Sequence, residues 1–177
     1  LVSFSPAQDR LPDVDALYLG GGYPELHAAA LAASRCRDDI RRAVDDGMPV
    51  YAECGGLIYL TERLVTGDGD HPMAGVLPAV AEMTGRIQGL GYVEARVVGG
   101  APVLEPGSAF RGHEFHYSRL ECAPDARFAL ELLRGRGIDG GRDGITVQNA
   151  IGQYTHAYFQ AGFAETLVRA AGAYRRS

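Results

Sequence analysis

The stretch Tyr51-Ala52-Glu53-Cys54-Gly55-Gly56-Leu57-Ile58-Tyr59-Leu60 constrains this chain more than any other. It continues an apolar run of β character, Pro49 to Ala52, and opens a helical pattern that sets Leu57, Ile58, Leu60 and Leu64 on one face. Between the two stand a thiol and a pair of glycines. A tight strand-to-helix turn pushes its side chain out from the backbone, and glycines relieve the crowding that such a turn creates. The helix that follows aims its N-terminal N–H groups and its dipole at that side chain, which favours a thiolate over a thiol. A small buried cysteine in a corner would have no use for the glycine pair. Cys54 therefore reads as a nucleophile.

The preceding chain prepares a second glycine turn on the same side. Val14 to Leu19 is patterned as a buried strand and runs into Gly20-Gly21-Gly22-Tyr23-Pro24-Glu25. Consecutive glycines let a backbone approach a ligand closely and turn its N–H groups outward. Pro24 suits the first turn of a helix. The pattern predicts that helix over 25–46, with Leu26, Ala30, Leu31, Ile40 and Val44 as its apolar face and Gly47 as its stop. Strand 14–19, helix 25–46 and strand 49–53 then form a βαβ unit with parallel strands. Both glycine turns fall at the carboxyl edge of the sheet, where open α/β folds bind their ligands. No Gly-x-x-x-x-Gly-Lys-Ser/Thr phosphate loop occurs, nor a G-x-G-x-x-G followed by a suitable acid. Gly20–Gly22 reads as an oxyanion-type loop facing Cys54.

With 177 residues, 46% of them hydrophobic, the chain has the bulk of a single domain, 1–177. A formal net charge of -5 argues against a nucleic-acid or anionic-membrane surface. No run approaches the roughly 18 apolar residues that cross a bilayer. Cys36, Cys54 and Cys122 lack metal-type spacing and make no disulfide framework, which fits a reducing cytoplasm. The opening Leu1-Val2-Ser3-Phe4-Ser5-Pro6 carries no initiator Met and no signal segment, and reads like the interior of a longer chain.

Beyond a polar loop over Gly67 to His71, β-type alternation returns at Arg86–Gln88 and Gly91–Val98, read as antiparallel strands. In a strand over 110–121, His113, Phe115 and Tyr117 share one face while Glu114, His116 and Ser118 share the other. The two histidines then point apart, so no metal site is expected there or elsewhere; the strand is expected near the substrate pocket. Residues 128–133 form a short apolar piece and Gly135 to Gly144 a flexible surface loop. Residues 145–159 follow as a hairpin or bent strand pair. A helix from Ala161 to Arg175 should turn Phe163, Leu167 and Val168 inward.

A cysteine nucleophile needs a base or an imidazolium partner. Of His27, His71, His113, His116 and His156, the first two fall in solvated positions. His156 closes a late strand just before the last helix, where the carboxyl edge of the sheet can bring it to Cys54. His113 and His116 remain alternatives.

Four motifs, Gly20 to Glu25, Ala52 to Leu60, Gly112-His113-Glu114-Phe115-His116-Tyr117-Ser118 and Tyr154-Thr155-His156, resemble in that order the glutamine amidotransferase domain of cobyrinic acid a,c-diamide synthases. They cover nearly the whole chain, and the Gly112–Ser118 block is the most specific, because the related cobyric acid synthases differ there. The resemblance implies an α/β, class I glutamine amidotransferase (flavodoxin-like) fold. That fold has a mostly parallel central sheet flanked by helices and an added antiparallel part. It implies Cys54 as nucleophile, His156 as base, and Gly21, Gly22 and Gly55 as oxyanion and glutamine-binding donors. It also implies that this domain holds no cofactor, and that an N-terminal amidoligase domain, outside this chain, uses ATP and Mg and holds the tetrapyrrole acceptor. Ammonia from glutamine would amidate the a and c carboxylates of cobyrinic acid, a step of cobalamin biosynthesis. Hydrogenobyrinic acid or a nickel sirohydrochlorin are alternative acceptors. A cysteine peptidase or deglycase on the same fold, or an inactive regulatory module, are alternatives of another kind. One departure stands out. Many class I glutaminases carry a glutamate two residues after the histidine to orient it, and here that position is Tyr158. The orienting group is left open between a backbone carbonyl, a water and another acid, with Glu53 and Glu114 as candidates. A loosely held histidine implies weak glutaminase activity without the partner domain.

Overall fold

Apolar residues at successive and alternate positions build two sheets in the computed structural model, which describes all residues except 9, 101–102, 159–160 and 176–177. The chain begins with β1 (Leu17–Leu19), a 3-10 turn over Pro24–His27, α1 (Ala28–Ala33), α2 (Cys36–Asp45) and β2 (Val50–Glu53). As expected, β1 and β2 are parallel, with Leu17 opposite Val50 and Leu19 opposite Ala52. Then come α3 (Gly55–Leu60), β3 (Thr61–Thr66), β4 (Gly69–Pro72), β5 (Leu77–Met83), β6 (Gly89–Val97), β7 (Ala109–His116) and β8 (Ser118–Cys122). β9 (Arg127–Arg134), β10 (Arg142–Val147), β11 (Ala150–Gln153), β12 (His156–Ala157) and α4 (Ala161–Tyr174) complete the chain.

The larger sheet has the order β1-β2-β11-β10-β9-β6-β7-β12, and the smaller has β4-β3-β5-β8. In the larger sheet β1, β2 and β11 run parallel, and from β11 to β12 the pairings are antiparallel. Strand alternation sorts the core. Val50 and Ala52 face Ile40, Val44, Leu57 and Leu77, whereas Tyr51 joins Leu130 and Ile151 on the other face, against Phe163 and Leu167 of α4. The Phe163 ring meets Tyr51 edge-on at 4.6 Å.

Several sequence expectations are corrected. The helix over 25–46 is broken at Ser34, which is extended; its hydroxyl accepts the Cys36 N–H and donates to the Gln8 carbonyl, a local bond that competes with helix continuation. Leu26 and Ala30 are consequently exposed, while Leu31, Ile40 and Val44 are buried. Gly47 does end α2, at φ 94°. The helix after Cys54 stops at Leu60, where Thr61 donates to the Ile58 carbonyl at 2.7 Å and turns extended, so Leu64 is buried from a strand. Gly67–His71 is the hairpin joining β3 to β4, and Arg86–Gln88 lies outside the strands. The single strand over 110–121 is two, because the chain breaks at Tyr117 and passes from one sheet to the other. Val168 points outward.

The glycine-rich 135–144 segment departs most from expectation. β10 begins inside it, and Asp143 is fully buried. Its carboxylate accepts the N–H groups of Gly144 at 2.9 Å, Tyr154 at 3.0 Å and Thr155 at 3.0 Å, and the Thr155 hydroxyl at 2.7 Å. Burial pushes this carboxyl up, and those donors pull it back toward ionisation. Asp143→Ala would orphan several buried donors, each worth about 1–3 kcal/mol. Urea unfolding is expected to show a loss of at least about 3 kcal/mol; a loss under about 1 kcal/mol would contradict this account.

Candidate active site

Cys54 is one of two non-glycine residues with positive φ among the described residues, at φ 46° and ψ -99°. An L side chain rarely adopts such angles, and holding it there costs on the order of 1–3 kcal/mol. Three hydrogen bonds impose it. The Cys54 N–H donates to Gln153 O at 2.8 Å, Ile58 N–H donates to Cys54 O at 3.0 Å, and Gly56 N–H donates to Gly20 O at 3.1 Å. The thiol is thereby turned to the carbonyl of Phe115, with Sγ 3.8 Å from that oxygen.

The glycine loop after β1 closes on this elbow. A methyl on Gly55 would stand 2.7 Å from Gly22 N and 2.8 Å from Gly22 O, and a methyl on Gly21 would collide with the His156 ring. His156 opens β12, registered opposite His113 of β7, and the two imidazoles stack with centroids 4.8 Å apart. The structure thus gathers Cys54, His156, Gly21, Gly22 and Gly55, from three separate segments of the sequence, at the carboxyl ends of the parallel strands.

The electrostatics differ from the expectation of a resting thiolate. Burial pushes the Cys54 thiol up to about 11; the Gly55 N–H pulls the other way, and Glu25, Glu53 and Asp143 push with burial. A helix as short as α3 is outweighed by desolvation and acidic neighbours. Burial first, and then the charge of His113, hold His156 below its ordinary value. The resting pair is a neutral thiol and a neutral imidazole. Glu53, buried next to Cys54, accepts from Tyr51 Oη at 2.9 Å, Tyr18 Oη at 3.0 Å and Ala157 N–H at 2.9 Å.

The other candidates disperse. His116 and Glu114 occupy the buried face of β7, opposite His113, as the alternation predicts. His116 Nδ1 lies 2.8 Å from Ser118 O and its ring stacks on Tyr154 at 3.6 Å. Glu114 accepts the N–H groups of Arg136 and Gly137. His27 is exposed, and His71 sits in β4, mostly buried rather than solvated, 3.7 Å from Asp68. Sequence reasoning missed Asp143, whose grip on Tyr154 and Thr155 leads the chain into His156; nothing in a glycine-rich run marks such a carboxylate. It also missed the Phe115 carbonyl, which only pairing geometry places at the thiol. Among the described residues no group of three or more His, Cys, Asp or Glu side chains could hold a metal ion, and no helix is long and apolar enough to cross a membrane.

The chain is similar to known proteins. A family model for the CobB/CobQ-like glutamine amidotransferase domain matches residues 1–163. The chain is 48% identical over 167 residues to the cobyrinate a,c-diamide synthase of Haloarcula marismortui, covering 93% of this chain and 38% of that protein. It is 50% identical over 160 residues to that of Halobacterium salinarum, covering 89% and 36%. The chain therefore spans well under half the length of these relatives. Among solved structures, one described as a glutamine amidotransferase aligns with a TM-score of 0.65 at 19% identity, covering 89% of this chain and 79% of that one. PurLQS from Thermotoga maritima aligns at 0.65 and 16%, covering 94% and 82%. These likenesses show the expected class I fold.

A thiol raised by burial ionises only as pH climbs toward 11. Below that, its thiolate fraction, and with it the rate of Cys54 alkylation by iodoacetamide, should rise about tenfold per pH unit. A rate already flat between about pH 7 and 9 would show an activated thiolate instead.

Proposed function

The chain belongs to the CobB/CobQ-like glutamine amidotransferase family, and on that premise we propose that Cys54 and His156 hydrolyse glutamine to supply ammonia for amide synthesis. The observation that carries this reading is the meeting at one elbow of the strained Cys54, the Gly21–Gly22 loop and the His156 ring. His156, neutral at rest, takes the thiol proton as Sγ bonds to the side-chain carbonyl carbon of glutamine. The carbonyl electrons move onto oxygen, where the N–H groups of Gly55 and the Gly21–Gly22 loop receive them. The imidazolium then gives its proton to the amide nitrogen, the C–N bond breaks, and ammonia leaves. Water attacks the thioester with His156 again as base, the C–S bond breaks, and glutamate and the thiol are regenerated.

In this reading the ammonia amidates the a and c carboxylates of cobyrinic acid, the acceptor in the relatives' name, in cytoplasmic cobalamin synthesis. The ligase chemistry, with ATP and Mg, belongs to an amidoligase part corresponding to the rest of the relatives' length, while this single domain works without a cofactor. That part would seat on an exposed strip beside the histidine stack. Leu90 and Tyr92 of β6 are exposed there and registered opposite Phe115 and His113.

Brief treatment with the diazo-ketone analogue of glutamine, followed by mass spectrometry, tests the chemistry. One adduct on Cys54 is expected, blocked by excess glutamine, absent in Cys54→Ser and slowed in His156→Ala; no adduct even with the amidoligase part present would overturn the reading. For the docking strip, Leu90→Asp with Tyr92→Asp should leave adduct formation intact while glutamine-dependent amidation falls at least about tenfold and ammonia-dependent amidation persists. Unchanged glutamine-dependent amidation would remove the strip from the interface.

A further inference from the structure

A general base depends on the group that fixes its tautomer, because an imidazole carrying its proton on the wrong nitrogen cannot accept another from the nucleophile. The residue two positions after His156 is Tyr158, whose side chain is exposed and whose N–H donates to Arg111 O at 2.9 Å. An acid reaches the imidazole from a different strand. Glu53 Oε2 lies 3.8 Å from His156 Nδ1, and Glu53 directly precedes Cys54.

The carboxylate is itself fixed. Tyr51 and Glu53 are two apart on β2, and Tyr18 is registered opposite Tyr51 on β1, so both hydroxyls arrive on the same face of the sheet. Tyr51 Oη and Ala157 N–H donate to Oε1, and Tyr18 Oη donates to Oε2. The two phenol rings stack, 5.9 Å apart and 11° from parallel. Burial raises this carboxyl and three donors pull it back toward ionisation, one of them the main chain of the residue after His156. Among the described residues Oε1 accepts twice and Oε2 once, and Oε2 is the oxygen nearer the imidazole.

We propose that Glu53 is the positioning residue for His156, accepting from Nδ1–H so that Nε2 stays free to take the Cys54 proton. This rests on the glutaminase reading above. At 3.8 Å Glu53 Oε2 and His156 Nδ1 stand just beyond hydrogen-bond reach, and in this role the separation shortens to a hydrogen bond during the reaction. Glu114, the other candidate acid, serves a different purpose, since it is held by the Arg136 and Gly137 N–H groups beside His116 of β7.

Glu53→Gln makes the sharpest test. Tyr51 and Ala157 both donate to the Oε1 position, so the amide oxygen stays there and the NH₂ turns toward Nδ1. That donor forces the proton onto Nε2. Two readouts on this chain decide the matter: the His156 tautomer by ¹⁵N NMR, and the rate at which the diazo-ketone analogue labels Cys54. The wild type should carry Nδ1–H at neutral pH. Glu53→Gln should switch to Nε2–H and label at least about 10²-fold more slowly, toward the roughly 10⁴-fold loss seen when a triad acid becomes an amide. Its glutamine affinity should stay within about twofold. A carboxylate that merely braced the fold would lower stability without moving the tautomer. A wild type with Nε2–H, or a Glu53→Gln protein that labels at the wild-type rate, overturns the proposal. If Glu53→Gln fails to fold, the wild-type tautomer alone decides. A wild type that labels nowhere strikes the glutaminase reading instead, and the tautomer still settles Glu53.

Discussion

One backbone conformation sets the terms for the rest of the structure. Cys54 sits where an L residue is strained, and it stays there because β11 lies against β2. The bond from Cys54 N–H to Gln153 O continues that parallel ladder past its last paired residues, Glu53 and Gln153. The strand that fixes the thiol is therefore the strand that leads, three residues later, to the imidazole. Gly56 ties the opposite side of the elbow to Gly20, the first residue of the glycine loop. A strain on the order of 1–3 kcal/mol is small beside the burial of the surrounding apolar side chains, and the fold tolerates it here.

Buried charge is treated the same way wherever it occurs near this elbow. Asp143, Glu53 and Glu114 are all buried carboxylates that accept main-chain N–H donors; Asp143 and Glu53 accept hydroxyls as well, whereas Glu114 has the His116 ring beside it at 3.7 Å. Desolvation raises Asp143 and Glu53, and their directed donors pull both back toward the charged form. Asp143 orders Tyr154 and Thr155, and Glu53 holds Ala157, so the short segment carrying His156 is gripped on both sides. The thiol and the imidazole, by contrast, are left with little to offset their burial. Burial favours the uncharged form of both.

How much of this was legible depended on range. The Gly55–Gly56 pair and the Gly20–Gly22 run announced two tight turns, because close backbone approach needs glycine whatever surrounds it; Gly22 against Gly55 is that approach. The β1–β2 pairing followed from two apolar runs and the helical segment between them. Helix bounds were less legible, since Ser34 and Thr61 end helices by hydrogen bonds that periodicity does not register. The strand break at Tyr117 was hidden, because alternation continues through it while the chain changes sheets. The 135–144 run resembled a loop by composition, yet ten-residue windows cannot reveal that Asp143 is placed to meet N–H groups eleven and twelve residues away.

The sequence by itself determined the chemical parts: a thiol at a glycine elbow, a glycine loop on the neighbouring parallel strand, and a histidine at the end of a late strand. These are local facts, dictated by backbone sterics and by the period of apolar residues. The tertiary structure decided which of five histidines meets the loop, that the thiol rests protonated, and that the acid beside His156 comes from the residue next to Cys54 rather than from the histidine's own strand. Those outcomes depend on register between strands distant in sequence and on how far each group is removed from water, and neither quantity is carried by any single stretch of residues.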